Sequence, residues 1–379
     1  MNILNFAPSN LCNICTNLAH GINKYTNHNC RSVTLRPTLY GFDVDILLKK
    51  NEDLVESLID KYDILHLNSW YFTRKKMISN IFGNIPLSII RCVDVLYNKC
   101  NLSNIPKFPN IDMVWWYYFT HKINKYKIGE KNVVLQYHGG DLRRAMSETD
   151  KKFINRHKFK VLVSVPDLLP QLERAQWLPI PVPTDNELYT PLQKKEDDVI
   201  KIVHTPTGRG LKKTGALIRA VKALKLKYDI RLMLIENMPY RHCLKLRREA
   251  HISFDNIEFG SYAGCSIEAM CHEQPTLVYL NEISQEQIDR VSDEIGVESP
   301  FVNVGDPKQP SVEYLNKVVV GKARNVITEK DYRSVYDSLE QLIVDSTLRK
   351  EIGKRGRKWA CKVHDERVVV RKLIDIYES

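Results

Sequence analysis

Three short stretches concentrate residue types that do chemistry. In "HTPTGRGLKKTG", His204 to Gly215, the small residues Gly208 and Gly210 alternate with the cations Arg209, Lys212 and Lys213 just before a helix start. Glycines let backbone approach a ligand, and helix N-terminal N–H groups attract anions, so this loop reads as a concave positive site suited to a diphosphate. Thr207 lies beside Gly208 on the loop, and Thr214 stands where a helix cap is expected. The loop matches neither G-x-x-x-x-G-K-[ST] nor G-x-G-x-x-G, and a solvated basic loop is the plainer alternative. In "FGSYAGCSIEAMCHEQPTLVYL", Phe259 to Leu280, one carboxylate, Glu268, sits inside an apolar segment. In the first turn of a helix it would gain from the helix dipole. Above a ligand it would instead accept paired ribose hydroxyls, each charge-assisted bond worth roughly 1.5–3 kcal/mol. The third stretch, "VVLQYHGGDLRRA", ends in His138, Gly139, Gly140 and Asp141. Neutral imidazole can hydrogen-bond a hydroxyl, and Asp141 suits either a substrate contact or the cap of a helix beginning at Leu142. Asn10, in "APSNLCN", is a weaker candidate from the first strand-to-helix turn.

Those residues need elements to hold them. Apolar runs such as "NILNFA", "CRSVTLRP", "DILHLNS", "VVLQYHGGD" and "KVLVSVPDLL" alternate with helical patterns at 13–25 and 52–60, as in a parallel sheet with helices on both faces. Four prolines between Pro179 and Pro191, followed by a charged run, mark a boundary. Beyond it the alternation restarts: a strand over Ile200–His204, a helix over 214–225, then "IRLMLIE", a helix over 240–250, "ISFDNIE" and "TLVYL". From about Lys330 the chain reads as helical, with a break near His364. The strand-to-helix loops of a parallel sheet emerge at one edge, which brings Glu268 to the cationic loop.

The chain has 379 residues, 43% of them apolar and 27% charged, as in a soluble protein large enough for two domains. A net charge of +11 predicts an anionic partner. With no run of 18 apolar residues, and a first strand in place of a basic leader, the expected setting is the cytoplasm, with peripheral membrane contact allowed. The nine cysteines are scattered and suit buried free thiols; Cys12 and Cys15 form a C-x-x-C without a second pair for zinc. "MVWWYYFTHKINKYK", Met113 to Lys127, mixes aromatics and lysines as a membrane-interface segment does, although a buried element followed by a solvated helix reads the same.

"HTPTGRGLKKTGALIRAVKAL", "IRLMLIENMP" and "GSYAGCSIEAMCHEQPTLVY" together resemble the nucleotide-sugar-binding domain of group 1 (family 4-like) glycosyltransferases of the glycosyltransferase-B (GT-B) fold. The resemblance implies that Arg209 and Lys212 hold a donor diphosphate, that Glu268 holds its ribose, and that His138 lies close to the transferred sugar. It also implies retention of configuration and no obligatory metal. Two positions depart from the family pattern: Gly260 stands where many members carry a sugar-contacting Glu, and Glu273 replaces a usual Gly. Backbone N–H groups around Ser261, Tyr262 and Ala263 are then expected to meet the donor sugar.

The expected architecture is α/β, with two Rossmann-like domains facing a cleft: residues 1–182 on the acceptor side, 183–357 on the nucleotide-sugar side, and a helix at 358–379 packing back on the first domain. Catalytic roles are expected of His138, Arg209 and Lys212. Donor contacts are expected of Thr207, Gly208, Arg209, Lys212, Tyr262, Ala263 and Glu268, and acceptor-side contacts of Asn10, Gly139, Gly140 and Asp141. No cofactor or metal is expected beyond the nucleotide sugar as co-substrate, and the acceptor would be a glycan or lipid-linked hydroxyl. Nucleic acid is the less favoured partner, since nothing matches a known base-stacking module. The rival expectations are a glycosyltransferase acting on modified DNA bases and a non-catalytic nucleotide-binding module.

Overall fold

The computed structural model describes residues 1–34, 40–48, 58–69, 132–146, 148–157, 159–193, 199–305 and 327–379. The aromatic stretch at 113–127 and most of the helical pattern at 52–60 lie outside them. The first half forms a seven-stranded sheet from β1 (Asn2–Ala7), β2 (Asn29–Thr34), β3 (Ile46–Leu47), β4 (Ile64–Asn68), β5 (Asn132–Tyr137), β6 (Lys160–Val163) and β7 (Ala175–Trp177). Its order is β3-β2-β1-β4-β5-β6-β7, and every pair is parallel. The central strands are buried on both faces, so they read as continuous apolar runs. The short strands β3 and β7 carry too few residues to show a pattern in the sequence.

The second sheet repeats the plan with five parallel strands, β8 (Ile200–His204), β9 (Ile230–Leu234), β10 (Ile252–Phe254), β11 (Thr276–Val278) and β12 (Phe301–Asn303). Their order is β12-β11-β10-β8-β9, which places the loop after β8 between those after β9 and β10. Among the described residues the helices are α1 (Ile14–Tyr25), α2 (Glu148–Arg156), α3 (Thr214–Leu224), α4 (Tyr240–Arg247), α5 (Gly264–Cys271), α6 (Glu282–Ile295), α7 (Glu329–Val344), α8 (Ser346–Val363) and α9 (Glu366–Glu378). None of them is long and apolar enough to cross a membrane.

A close packing contact sets the position of α5. A Cβ on Gly353 of α8 would stand 2.3 Å from the Glu273 carbonyl oxygen, so only glycine lets α8 lie against the end of α5. The chain then turns at His364, and α9 returns to the first sheet. There Tyr377 Oη meets His66 Nδ1 at 2.6 Å, and Tyr25 of α1 donates to buried Glu366 at 3.0 Å. The linker and this turn run side by side, with Val182 N donating to His364 O at 2.8 Å and Glu366 N to Val182 O at 3.0 Å.

The carboxyl ends of the two sheets face each other. From the loop after β2, the Tyr40 carbonyl accepts from Tyr240 N at 2.9 Å, and the Phe42 ring packs on Tyr240 at 4.7 Å. Cys12, after β1, lies so close to Gly264 that a Cβ there would touch its Cβ and Sγ at 3.5 Å. Arg143, after β5, stands 5.7 Å from the Phe259 ring.

Candidate functional site

The cationic loop leaves β8 at His204, whose imidazole fixes the base of the turn: Nδ1 bonds the Phe254 carbonyl at 2.9 Å and Nε2 the Thr214 hydroxyl at 2.8 Å. Thr214 therefore does not cap α3. The cap position falls on Lys213, in the left-handed region at φ 50°, and no side chain caps the helix. Thr207 and Arg209 are exposed, and Gly208 is half-buried beside Leu211.

The two cations assigned to a diphosphate sit in opposite settings. Arg209 is 57% exposed and forks onto Glu236, with Nε donating to Oε1 at 2.9 Å and to Oε2 at 3.1 Å. The hydrogen bond from Arg209 holds the Glu236 carboxyl below its ordinary range. Lys212 instead points inward. Its Nζ donates to Asp255 Oδ1 at 2.6 Å and lies 3.2 Å from Cys265 Sγ. Burial would favour loss of the lysine proton, but the Asp255 carboxylate outweighs it, so the Lys212 pKa is raised. Asp255 stays ionised for the matching reason: burial opposes its charge, and Lys212 overcomes it. Asp255 Oδ2 also accepts from Ala263 N at 2.8 Å and Ser266 Oγ at 2.6 Å. One buried carboxylate thus ties the β8 loop to the start of α5. It uses the Ala263 N–H that the sequence offered to a sugar.

Glu268 lies beyond the first turn of α5, so the helix-dipole explanation for its charge fails on position. Its carboxylate is paired with buried Arg247 and accepts from Tyr240 Oη at 2.7 Å; Tyr240 Oη in turn meets Tyr189 Oη at 2.8 Å. Burial pushes its pKa up, against the pull of Arg247. Tyr262 turns away from the loop into the aromatic group of Phe301, Trp359 and His364, and its hydroxyl meets His364 Nε2 at 3.0 Å. That leaves only the Tyr262 backbone for a donor contact.

Gly260 and Glu273, the two departures from the family pattern, have geometric counterparts. Gly260 has φ +72°, and a Cβ there would stand 3.1 Å from the Asn281 side chain, so a Glu would be both strained and crowded. Glu273 takes φ +56° at the end of α5, the left-handed conformation a glycine adopts at no steric cost.

On the first sheet, His138 is half-buried and both ring nitrogens are engaged. Nε2 lies 2.9 Å from Asn68 Oδ1 and Nδ1 lies 2.7 Å from Ser164 Oγ. Asn68 Nδ2 donates to Asn5 Oδ1 and the Phe6 carbonyl, so Asn68 Oδ1 is the acceptor and Nε2 of His138 carries the proton. Burial lowers the pKa of this imidazole, which keeps it neutral. Asp141 does not cap a helix from Leu142 in the usual way. It opens a π-helix, Asp141–Ala145, and folds back to accept from the N–H groups of His138, Gly139 and Leu142 and from the Ser69 hydroxyl. Gly139 is buried and Gly140 exposed. Asn10 is a buried organiser of the β1–α1 turn, bonded to Asn13, Thr16, Cys15 N and the Asp43 carbonyl. That turn lacks glycine, yet Cys12 and Asn13 take φ 49° and 57°.

Glu236, Asp255, Tyr240 and Arg247 did not emerge from the sequence. The first two carried a signal, an acidic residue directly after an apolar strand in "RLMLIE" and "ISFD", where strand ends meet ligands. Tyr240 and Arg247 carried none, because their role depends on how α4 packs on α5.

No protein-family model and no curated protein matches the sequence. Solved structures do match the fold. The chain is similar to a sucrose-phosphate synthase from Thermosynechococcus elongatus, with TM-score 0.57 and 10% identity over 100% of this chain and 98% of that one. It is similar to an alpha-glucosyltransferase in complex with UDP and a 13-mer DNA containing an HMU base, with TM-score 0.56 and 10% identity over the whole of both chains. It is also similar to a glycosyltransferase from Rickettsia africae, with TM-score 0.56 and 13% identity over 100% and 97%. At these identities the likeness is one of fold: two parallel α/β domains in the GT-B arrangement, with the last helix crossing back.

Proposed function

We propose that the protein is a glycosyltransferase that moves a sugar from a nucleoside diphosphate sugar to an acceptor hydroxyl, with retention and without an obligatory metal. The observation that carries this reading is the exposed guanidinium of Arg209 on the β8 loop, at the carboxyl edge of a GT-B second sheet and forked in the geometry that suits phosphate oxygens. Neutralising the leaving diphosphate is the main electrostatic demand of the reaction, and Arg209 supplies the charge. Lys212, neutralised by the ionised Asp255, braces the loop from beneath. Glu268, steadied by Arg247 and Tyr240, keeps acceptor capacity for ribose hydroxyls. His138, neutral and fixed in one tautomer, orients the first-domain loop toward the sugar. The acceptor side falls to that loop and the β1–α1 turn, for a glycan or a lipid-linked hydroxyl at a membrane surface.

A DNA-base acceptor is the second reading. It is favoured by the net charge of +11 and by Lys350, Lys354 and Lys358, which recur every fourth residue along α8 on one exposed face. The test is turnover: purified protein is incubated with a panel of nucleoside diphosphate sugars, with and without duplex DNA, and release of nucleoside diphosphate is followed. Release from one donor supports the proposal, and DNA-stimulated, salt-sensitive release selects the second reading. Donor binding without release from any sugar would instead make the chain a binding module.

A further inference from the structure

Arg209 and Glu236 form the closest exposed charge pair at the loop. Glu236 follows β9, and β9 pairs directly with β8 through His204 and Leu234, so the two loops leave the sheet side by side. The guanidinium spends Nε and Nη2 on the carboxylate, which are the N–H groups a phosphate would engage. Both partners reach solvent, Arg209 at 57% and Glu236 at 25%, so opening the pair costs little, as for exposed ion pairs in general. Lys212 offers no such exchange, since its side chain is 7% exposed and Asp255 is fully buried.

We infer that Glu236 is an internal competitor for the diphosphate, occupying Arg209 in the empty site and being displaced when a nucleoside diphosphate binds. The inference rests on the proposed role of Arg209. In the empty site the carboxylate keeps the guanidinium ordered and pointed at the loop. On binding, the phosphates take over the fork and Glu236 is left beside two like charges, which weakens the complex and speeds departure of the product. A charge within reach of the phosphates tunes both affinity and release, so Glu236 is an affinity-determining residue.

The test is isothermal titration of the intact protein with UDP, GDP and ADP, comparing wild type with Glu236→Gln and Glu236→Ala. At least one diphosphate should bind both variants fivefold or more tighter than wild type. The gain should shrink as sodium chloride is raised from 50 to 500 mM, because screening weakens the repulsion that the substitutions remove. Equal affinity within twofold would overturn the inference, and so would weaker binding, which would mean that Glu236 only positions Arg209. If wild type and both variants bind none of the three, the diphosphate assignment of the loop fails, and the inference fails with it.

Discussion

Two ion pairs on neighbouring strands of the second sheet, both made of residues within or just beyond the loops after β8, β9 and β10, behave in opposite ways. Lys212–Asp255 is buried and braced by two further hydrogen bonds to Asp255, from the Ala263 N–H and the Ser266 hydroxyl. Arg209–Glu236 stands in solvent. A buried pair holds backbone segments in place, because breaking it strands a charge away from water. An exposed pair is nearly neutral in stability and is free to trade partners. Residues three apart in one loop are thus divided between a buried brace and an exposed pair open to exchange.

The division can be broken first at its buried end. Lys212→Met should destabilise the protein by about 3–5 kcal/mol by leaving Asp255 charged and unpaired, read as a shift in urea midpoint; a loss below about 1 kcal/mol would mean the pair is not buried as described. Acid should act on a different group. Burial lowers the His364 pKa to about 4, from an ordinary 6.5. His364 takes up a proton on unfolding between those values, so its share of stability should fall by about 3 kcal/mol as pH falls from about 6.5 to about 4. His66, His204 and His138, whose pKa values burial also lowers, add to the fall in the same direction. Asp255, held ionised in the fold by Lys212, adds its loss mainly at and below the lower edge of that window, where the unfolded carboxyl takes up a proton. Urea midpoints measured across the range check this, and His364→Gln should make the slope shallower while the other buried histidines keep part of it.

Glu268→Ala should cost about 2–3 kcal/mol, because it strands Arg247, whose side chain is 1% exposed. That makes alanine a poor probe of a ribose contact; Glu268→Gln, which keeps a carbonyl oxygen for Tyr240, should separate a loss of activity from a loss of fold. The smallest stability effect is expected at the exposed end. Arg209→Ala should leave the urea midpoint nearly unchanged, because an exposed pair contributes little to stability.

Much of the second domain was legible because its strands follow one another with clear punctuation. β8 begins and ends where the pattern placed it, and the break at His364 falls where the helical pattern lapses. The short strands β3 and β7 were not legible. The site was legible in its cations and opaque in their partners. Charge and glycine spacing pointed to Arg209 and Lys212 alike, since both are basic residues in one loop. Which of them faces water depends on Asp255, brought to Lys212 by strand order alone. Gly260 is a similar case. Its backbone angle and its contact with Asn281 explain why a longer side chain is absent there, and neither can be read from a one-letter code.

The proposed role of Arg209, the exposed cation of this loop, is to hold the diphosphate of a nucleotide ligand. It is tested most directly by titrating wild type and Arg209→Ala with whichever nucleoside diphosphate binds, and with the corresponding nucleoside. The expected result is a loss of tenfold or more in diphosphate affinity with nucleoside affinity unchanged. Equal diphosphate affinity in the two proteins would contradict it.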